Sequence, residues 1–177
     1  MSIQAILTEI ISILNSRRIP YMLSGSVAFN FYSVPRATRD IDLVAELKPE
    51  DAAKLISSIR GHYYFNEETI NEEIRRKGFF NIIHYTSSFK IDFILLKNTE
   101  FELLKFSRRK NIDFEGLAIS IITREDLILS KLMWIQQFES DLQKSDIRLL
   151  IDFPELDLEY IHNWVRKLGL KTYDIKI

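Results

Sequence analysis

The sequence predicts an α/β fold: a small mixed β-sheet flanked by helices, followed by a short helical C-terminal region. Three observations lead there. Runs that alternate apolar and polar residues interleave with runs of helical spacing over the first two-thirds of the chain. From Thr123 onward the spacing is helical throughout. The composition, 46% hydrophobic and 28% charged in 177 residues, is that of a packed chain that needs no covalent staple. The expected organisation is an α/β core over residues 1–122 and a helical region over 123–177.

Taken in order, Ile3, Ile6, Leu7, Ile10, Ile11 and Leu14 share one helical face, and Pro20 cannot continue that helix. Tyr21 to Leu23 reads as a short strand running into Ser24-Gly25-Ser26, with a second helix over Val27 to Tyr32. A loop spans Val34 to Arg39. In the next strand, Asp40 to Leu47, the apolar Ile41, Leu43, Ala45 and Leu47 face one way and Asp40, Asp42, Val44 and Glu46 the other. Pro49 suits the first turn of a helix to about Ile59, with Glu50 and Asp51 at its positive end. Glu67 to Lys77 is polar and reads as a helix or a mobile excursion. Phe79–Tyr85 and Phe89–Leu96 read as a hairpin across Thr86-Ser87-Ser88. A short helix over Thr99 to Arg108 follows, then strand over Ile112 to Ile122 with a turn at Glu115-Gly116. Thr123-Arg124-Glu125-Asp126 resembles a capping box, and it opens the first of three helices, Leu127–Phe138, Asp141–Leu150 and Leu156–Leu168.

Composition excludes several classes. With no cysteine there is no disulfide, thiolate metal site or cysteine nucleophile, and a reducing, cytoplasmic setting is expected. The 24 basic and 25 acidic residues give no general attraction to nucleic acid or an anionic membrane, so a phosphate partner must be held locally. The first residues do not read as a signal peptide, and no apolar run approaches a membrane span.

The chemistry concentrates in Gly25-Ser26, then thirteen residues, then Asp40-Ile41-Asp42. A strand ending in Gly-Ser at a helix start can cradle phosphate, because glycine allows close approach and the helix end offers free N–H groups. Ser26 can cap that helix or donate to a phosphate oxygen. Asp40 and Asp42 project from one strand face, and two like charges that close need a cation between them. Magnesium is the usual answer. The plainer reading is a solvated strand with two acids, such as Glu155-Leu156-Asp157-Leu158-Glu159 also offers. Asp92 lies within the apolar run Phe89 to Leu96 and needs a partner or a metal. Beside the Asp40–Asp42 strand it would complete a set of three acids able to hold two ions about 3.5–4 Å apart. Pairing with Lys90 or a nearby arginine is the alternative.

Gly25-Ser26, Thr38-Arg39-Asp40-Ile41-Asp42-Leu43 and Lys90-Ile91-Asp92-Phe93 together resemble the nucleotidyltransferase superfamily typified by DNA polymerase β. The longer strings Ser24 to Ala28 and Pro35 to Val44 are closest to bacterial and archaeal nucleotidyltransferases related to abortive-infection toxins of toxin–antitoxin pairs. Ser130-Lys131-Leu132-Met133-Trp134 and Gln143 to Arg148 are similar to the helical segment of those proteins, so the resemblance spans roughly residues 20 to 150. It implies the nucleotidyltransferase fold and transfer of a nucleoside monophosphate from an NTP to a hydroxyl acceptor, with release of pyrophosphate. Asp40, Asp42 and Asp92 would be the catalytic acids and hold Mg2+, two ions being expected. Gly25, Ser26, Arg36, Thr38, Arg39 and Lys131 would bind the nucleotide. Asp146 matches a helical position of unassigned role. The acceptor would be tRNA or other RNA, a protein or a small molecule such as an aminoglycoside, and an antitoxin protein is a possible partner. A silent nucleotide-binding or protein-interaction module of the same fold is the alternative.

Other features carry less. His62, His84 and His162 lack metal-ligand spacing. The basic runs Arg17-Arg18, Arg75-Arg76-Lys77 and Arg108-Arg109-Lys110 read as solvated surface. Trp134, Tyr32, Tyr63 and Tyr64 are expected to pack rather than to stack on a base.

Overall fold

A computed structural model describes residues 2–177. Helix α1 (Ile3–Ser16) leads to strand β1 (Tyr21–Ser24), helix α2 (Gly25–Tyr32) and strand β2 (Asp40–Ala45). Helix α3 (Pro49–Ile59), the short strand β3 (Tyr63–Tyr64) and helix α4 (Glu67–Arg76) follow. Strands β4 (Phe79–His84) and β5 (Lys90–Leu95), helix α5 (Glu100–Ser107) and strands β6 (Lys110–Phe114) and β7 (Leu117–Ile121) complete the sheet-forming part. Helices α6 (Arg124–Ile135), α7 (Asp141–Ile151) and α8 (Leu158–Leu168) close the chain.

The sheet has seven strands in the order β3-β4-β5-β2-β1-β7-β6. It is mixed: β2 and β5 run parallel, as do β1 and β7, and the other neighbours are antiparallel. The register of the two central strands follows from burial. Ile41, Leu43 and Ala45 of β2, and Ile91, Phe93 and Leu95 of β5, are fully or almost fully buried. Sliding either strand by one residue would drive its acids into that apolar layer. Phe93 stacks on Phe80 of the adjoining β4 strand, ring centroids 4.9 Å apart, which pins the β4–β5 pairing as well.

Most predicted elements lie where the periodicity puts them, and the polar stretch from Glu67 is a helix. Helix α2 begins two residues earlier than expected, at Gly25. The two-residue strand β3 is too short to leave a pattern in the sequence. At the β6–β7 turn, Glu115 and Gly116 both take positive φ, the backbone that a two-residue hairpin requires.

The last three helices are fastened to the rest by a buried carboxylate. Asp126 is fully buried and accepts bonds from Thr123 Oγ1 (2.7 Å), Tyr160 Oη (2.6 Å) and Arg108 Nε (3.1 Å). It therefore joins the corner after α5 to α6 and α8. Helix α6 packs against α2, α7 and α8, which explains why buried residues surround much of its circumference rather than one stripe. No described helix is long and apolar enough to cross a membrane.

Candidate active site

Strand pairing brings the predicted acids together. Asp42 of β2 stands opposite Asp92 of β5 and opposite Ser24 of β1; Asp40 stands opposite Lys90. Register partners share a sheet face, so Ser24, Asp42, Asp92 and Asn81 of β4 form a polar row across four strands. Burial raises the Asp42 carboxyl above the usual carboxylate range, and the charges of Asp92 and Asp40 push the same way. Asp92 is also raised, by burial first, although Lys90 acts against the shift.

The helix end lies against this row. The Asp42 carboxylate lies against Gly25 at the positive end of α2, and the Ser26 backbone N–H offsets part of the effect of burial on it. Gly25 takes φ +60°, and a Cβ there would fall 1.8 Å from Asp42 Oδ2. Glycine is thus required twice, by the left-handed backbone and by the close carboxylate. The Ser26 hydroxyl does not cap the helix; it accepts from Arg36, whose Nη2 is 2.9 Å away.

Lys90 is the cation between two of the acids. Its Nζ lies 2.8 Å from Asp92 Oδ2 and 3.5 Å from Asp40 Oδ1. Partial burial opposes its charge, but the hydrogen bond and the two carboxylates outweigh that and raise its pKa. The alternative of a lysine partner for Asp92 is therefore what the side chains adopt. The opposite oxygen, Asp92 Oδ1, is buried and has no hydrogen-bond partner. Hard carboxylate oxygens and one orphaned buried oxygen fit a divalent cation. As the side chains stand, no group of three acids among the described residues closes around a single ion position.

A second charged cluster braces the site from the C-terminal helices. Asp146 of α7 is 1% exposed and holds Arg36 through both oxygens, at 3.1 and 2.8 Å. It also takes Lys131 Nζ at 2.8 Å, while Gln143 Oε1 takes the same ammonium at 2.7 Å. Burial works against the Asp146 charge, yet the bonds from Arg36 and Lys131 win and lower its pKa. Burial lowers the Lys131 pKa, against the pull of Asp146. Arg36, expected to bind the nucleotide, is locked between Ser26 and Asp146.

The remaining predicted residues do not join the cluster. Thr38 Oγ1 bonds both the N–H and the C=O of Asp40, at 3.3 Å each, and shapes the strand entry. Arg39 is exposed, and its side chain makes no hydrogen bond or ion pair among the described residues.

A cleft of about 270 Å³ opens beside Asp42. Gly25, Ser26, Asp42 and Lys131 line it, together with Lys97, Lys105 and Trp134, which sequence reasoning did not place there. Trp134 is 47% exposed, so it is a cleft wall and not the packed anchor expected. Its helical spacing gave no warning, because periodicity does not distinguish a cleft face from a buried one. Tyr64 is likewise exposed, whereas Tyr63 is fully buried. Two of the basic runs are partly neutralised: Arg76 pairs with Glu73 and Arg108 with Asp126.

No family model matches the chain, and no curated protein matches it. Solved structures do. The lincosamide antibiotic adenylyltransferase LnuA, with lincomycin bound, is 14% identical, covering 82% of this chain and 94% of its own, with a TM-score of 0.56. An antigenic nucleotidyltransferase-like protein from Paracoccidioides brasiliensis is 15% identical, covering 93% and 88%, with a TM-score of 0.58. JHP933 from Helicobacter pylori is 16% identical, covering 96% and 75%, with a TM-score of 0.50.

Proposed function

We propose that this chain, which has the nucleotidyltransferase fold, transfers a nucleoside monophosphate from an NTP to a hydroxyl acceptor and releases pyrophosphate. The observation that carries the reading is the adjacency of Gly25-Ser26, Asp42 and Asp92 on three neighbouring elements, beside a cleft with basic walls. The acceptor oxygen forms a bond to the α-phosphorus as the bond to pyrophosphate breaks, and the hydroxyl proton leaves to a base. A carboxylate of the Asp40, Asp42 and Asp92 cluster takes that proton.

Asp42 and Asp92, with Asp40 at the rim, are the residues that would hold Mg2+. When bound, the metal supplies charge stabilisation for the transferring phosphoryl group. The chain's own groups orient the donor. Gly25 and Ser26 present the start of α2, and Lys131, fixed by Asp146 and Gln143, offers a positioned positive charge at the cleft wall. Lys97 adds to it, while Lys105 is paired with Glu102, 2.8 Å away on the same wall. Arg36 acts through Ser26 and Asp146 and is a positioning residue.

For the acceptor, a hydroxylated small molecule is the first choice. The near-neutral charge of the chain gives RNA no general attraction. LnuA, whose fold this chain shares, is an antibiotic adenylyltransferase. A role as the toxin of a toxin–antitoxin pair belongs with RNA or protein as acceptor. The test incubates the protein with Mg2+, NTPs labelled at the α-phosphate, and either cell extract, tRNA or an antibiotic panel. Label on a small molecule supports the first choice, and label on tRNA or protein supports the toxin reading. NTP binding without transfer to any acceptor would leave a silent module, a reading to which the Lys90 contact with Asp92 lends some weight.

A further inference from the structure

The lysine among the acids divides them into two unequal positions. Lys90 precedes Asp92 by two residues, so both side chains leave β5 on the same face. The parallel register then sets Lys90 beside Asp40 and Asp92 beside Asp42. On the Asp40 side, the ammonium meets Asp40 Oδ1 and Asp92 Oδ2, at 3.5 and 2.8 Å. The other oxygen of Asp92, Oδ1, is buried without a partner, and Asp42, the register neighbour of Asp92, has no ion pair among the described residues. Asp92 as a whole is only 7% exposed, so water does not readily satisfy that oxygen.

Charge leads to the same division. Three ionised carboxylates carry three negative charges and Lys90 returns one, which leaves two, the charge of a single divalent ion. A lysine ammonium is a compact, strongly hydrated point charge with three donors, suited to bridging two carboxylates from neighbouring strands. A second divalent ion on the Asp40 side would have to displace it or sit against it.

We propose that Lys90 is a built-in cation filling the Asp40 side of the acid cluster, so that the protein alone takes one divalent ion, between Asp42 and Asp92, and not two. The inference deepens the transferase reading and rests on it for the identity of the acid cluster as the reaction centre. It revises the expectation of two resident ions to one ion and one ammonium. Lys90 is then a positioning residue: it holds Asp40 and the outer oxygen of Asp92, and leaves the inner oxygen for the metal.

Ion counting tests this without nucleotide or turnover. The purified protein is titrated with Mn2+, and free Mn2+ is followed by its electron paramagnetic resonance signal. One ion per chain is expected, and it should be lost in Asp42→Asn. Lys90→Met should bind two ions per chain, Lys90→Gln should do the same, and Lys90→Arg should return the count to one. Adding Asp40→Asn to Lys90→Met should remove the second ion, because its ligand is gone. Removing Lys90 takes the cation from buried Asp92, so metal-free Lys90→Met is expected to melt several degrees below the wild type and Lys90→Gln, which keeps a donor, by less; ions are counted on folded protein well below each melting temperature. Two ions in the wild type, none in the wild type, or one in both Lys90→Met and Lys90→Gln would each overturn the proposal. Label transfer separates the two readings: two ions in an active wild type would remove this inference and keep the transferase, while the expected counts without any transfer would do the reverse.

Discussion

Asp42 is destabilising in the very position that makes it useful. Its carboxyl is buried, faces two other acids and is raised in pKa, so ionising it at neutral pH works against folding. The unfavourable contribution is absent below the carboxyl's unfolded value, near 3.9, and complete above its raised folded value. Asp42→Asn removes the charge and keeps an oxygen at the start of α2. It should raise the melting temperature at pH 7 by about 2–4 °C, the shift for about 1 kcal/mol in a chain of this size. Transfer should fall about a thousandfold or more. Calorimetry beside the labelled-NTP assay reads both, and a lower melting temperature would mark Asp42 as structural.

Asp146 behaves in the opposite sense. Its folded pKa is lowered, so its stabilising contribution is present above its unfolded value and is lost as pH falls through the folded value. Asp146→Asn leaves Lys131 buried without its counter-ion, at a cost of about 3–5 kcal/mol. Thermal melts from pH 7 downward should show the gap between variant and wild type wide at neutrality and closing below about pH 4. A gap that stays constant with pH would mean that shape, not charge, is what the position supplies. The carboxylates at 40, 42 and 92 were readable as a set because strand spacing fixes their face and the apolar partners fix their register. The role of Asp146 was not readable, since its partners Arg36 and Lys131 lie 110 and 15 residues away.

Among the elements, the start of α2 is the most constrained. Its N-cap residue Ser24 makes no side-chain cap, and the carboxylate of Asp42, from the neighbouring strand, lies against that helix end instead. Sequence reasoning placed a phosphate-ready helix end here; the fold gives it an internal anion. Gly25→Ala is therefore expected to act on both helix and acid. The left-handed backbone alone costs about 1–2 kcal/mol, and the methyl group cannot coexist with Asp42 where it stands. A fall in melting temperature of at least about 3 °C, with loss of Mn2+ binding, should follow. Unchanged Mn2+ affinity would show that Asp42 moves aside without consequence.

For the molecule as a whole, the question is how the helices after residue 122 relate to the sheet. Leu127, Ile128, Leu129, Leu132 and Ile135 of α6 are all buried, and α6 rests on α2. Each such side chain is worth about 1.5–3 kcal/mol when buried, against a total stability of about 5–15 kcal/mol for an ordinary domain. A chain ending at residue 122 should accordingly lose its cooperative unfolding transition and expose apolar surface to a dye. A sharp melt for that fragment would establish the first 122 residues as an independent unit.

Sequence by itself determined most of the order of helices and strands, the face on which three acids stand and the glycine that must lie near them. These follow from local spacing and backbone freedom, which the chain carries at every point. Only the tertiary structure decided that Lys90 lies between Asp40 and Asp92, that Asp146 braces Arg36 and Lys131, and that Trp134 walls a cleft. Those outcomes depend on which strands pair and which helices touch, and the distances involved are set by packing among residues far apart in the chain.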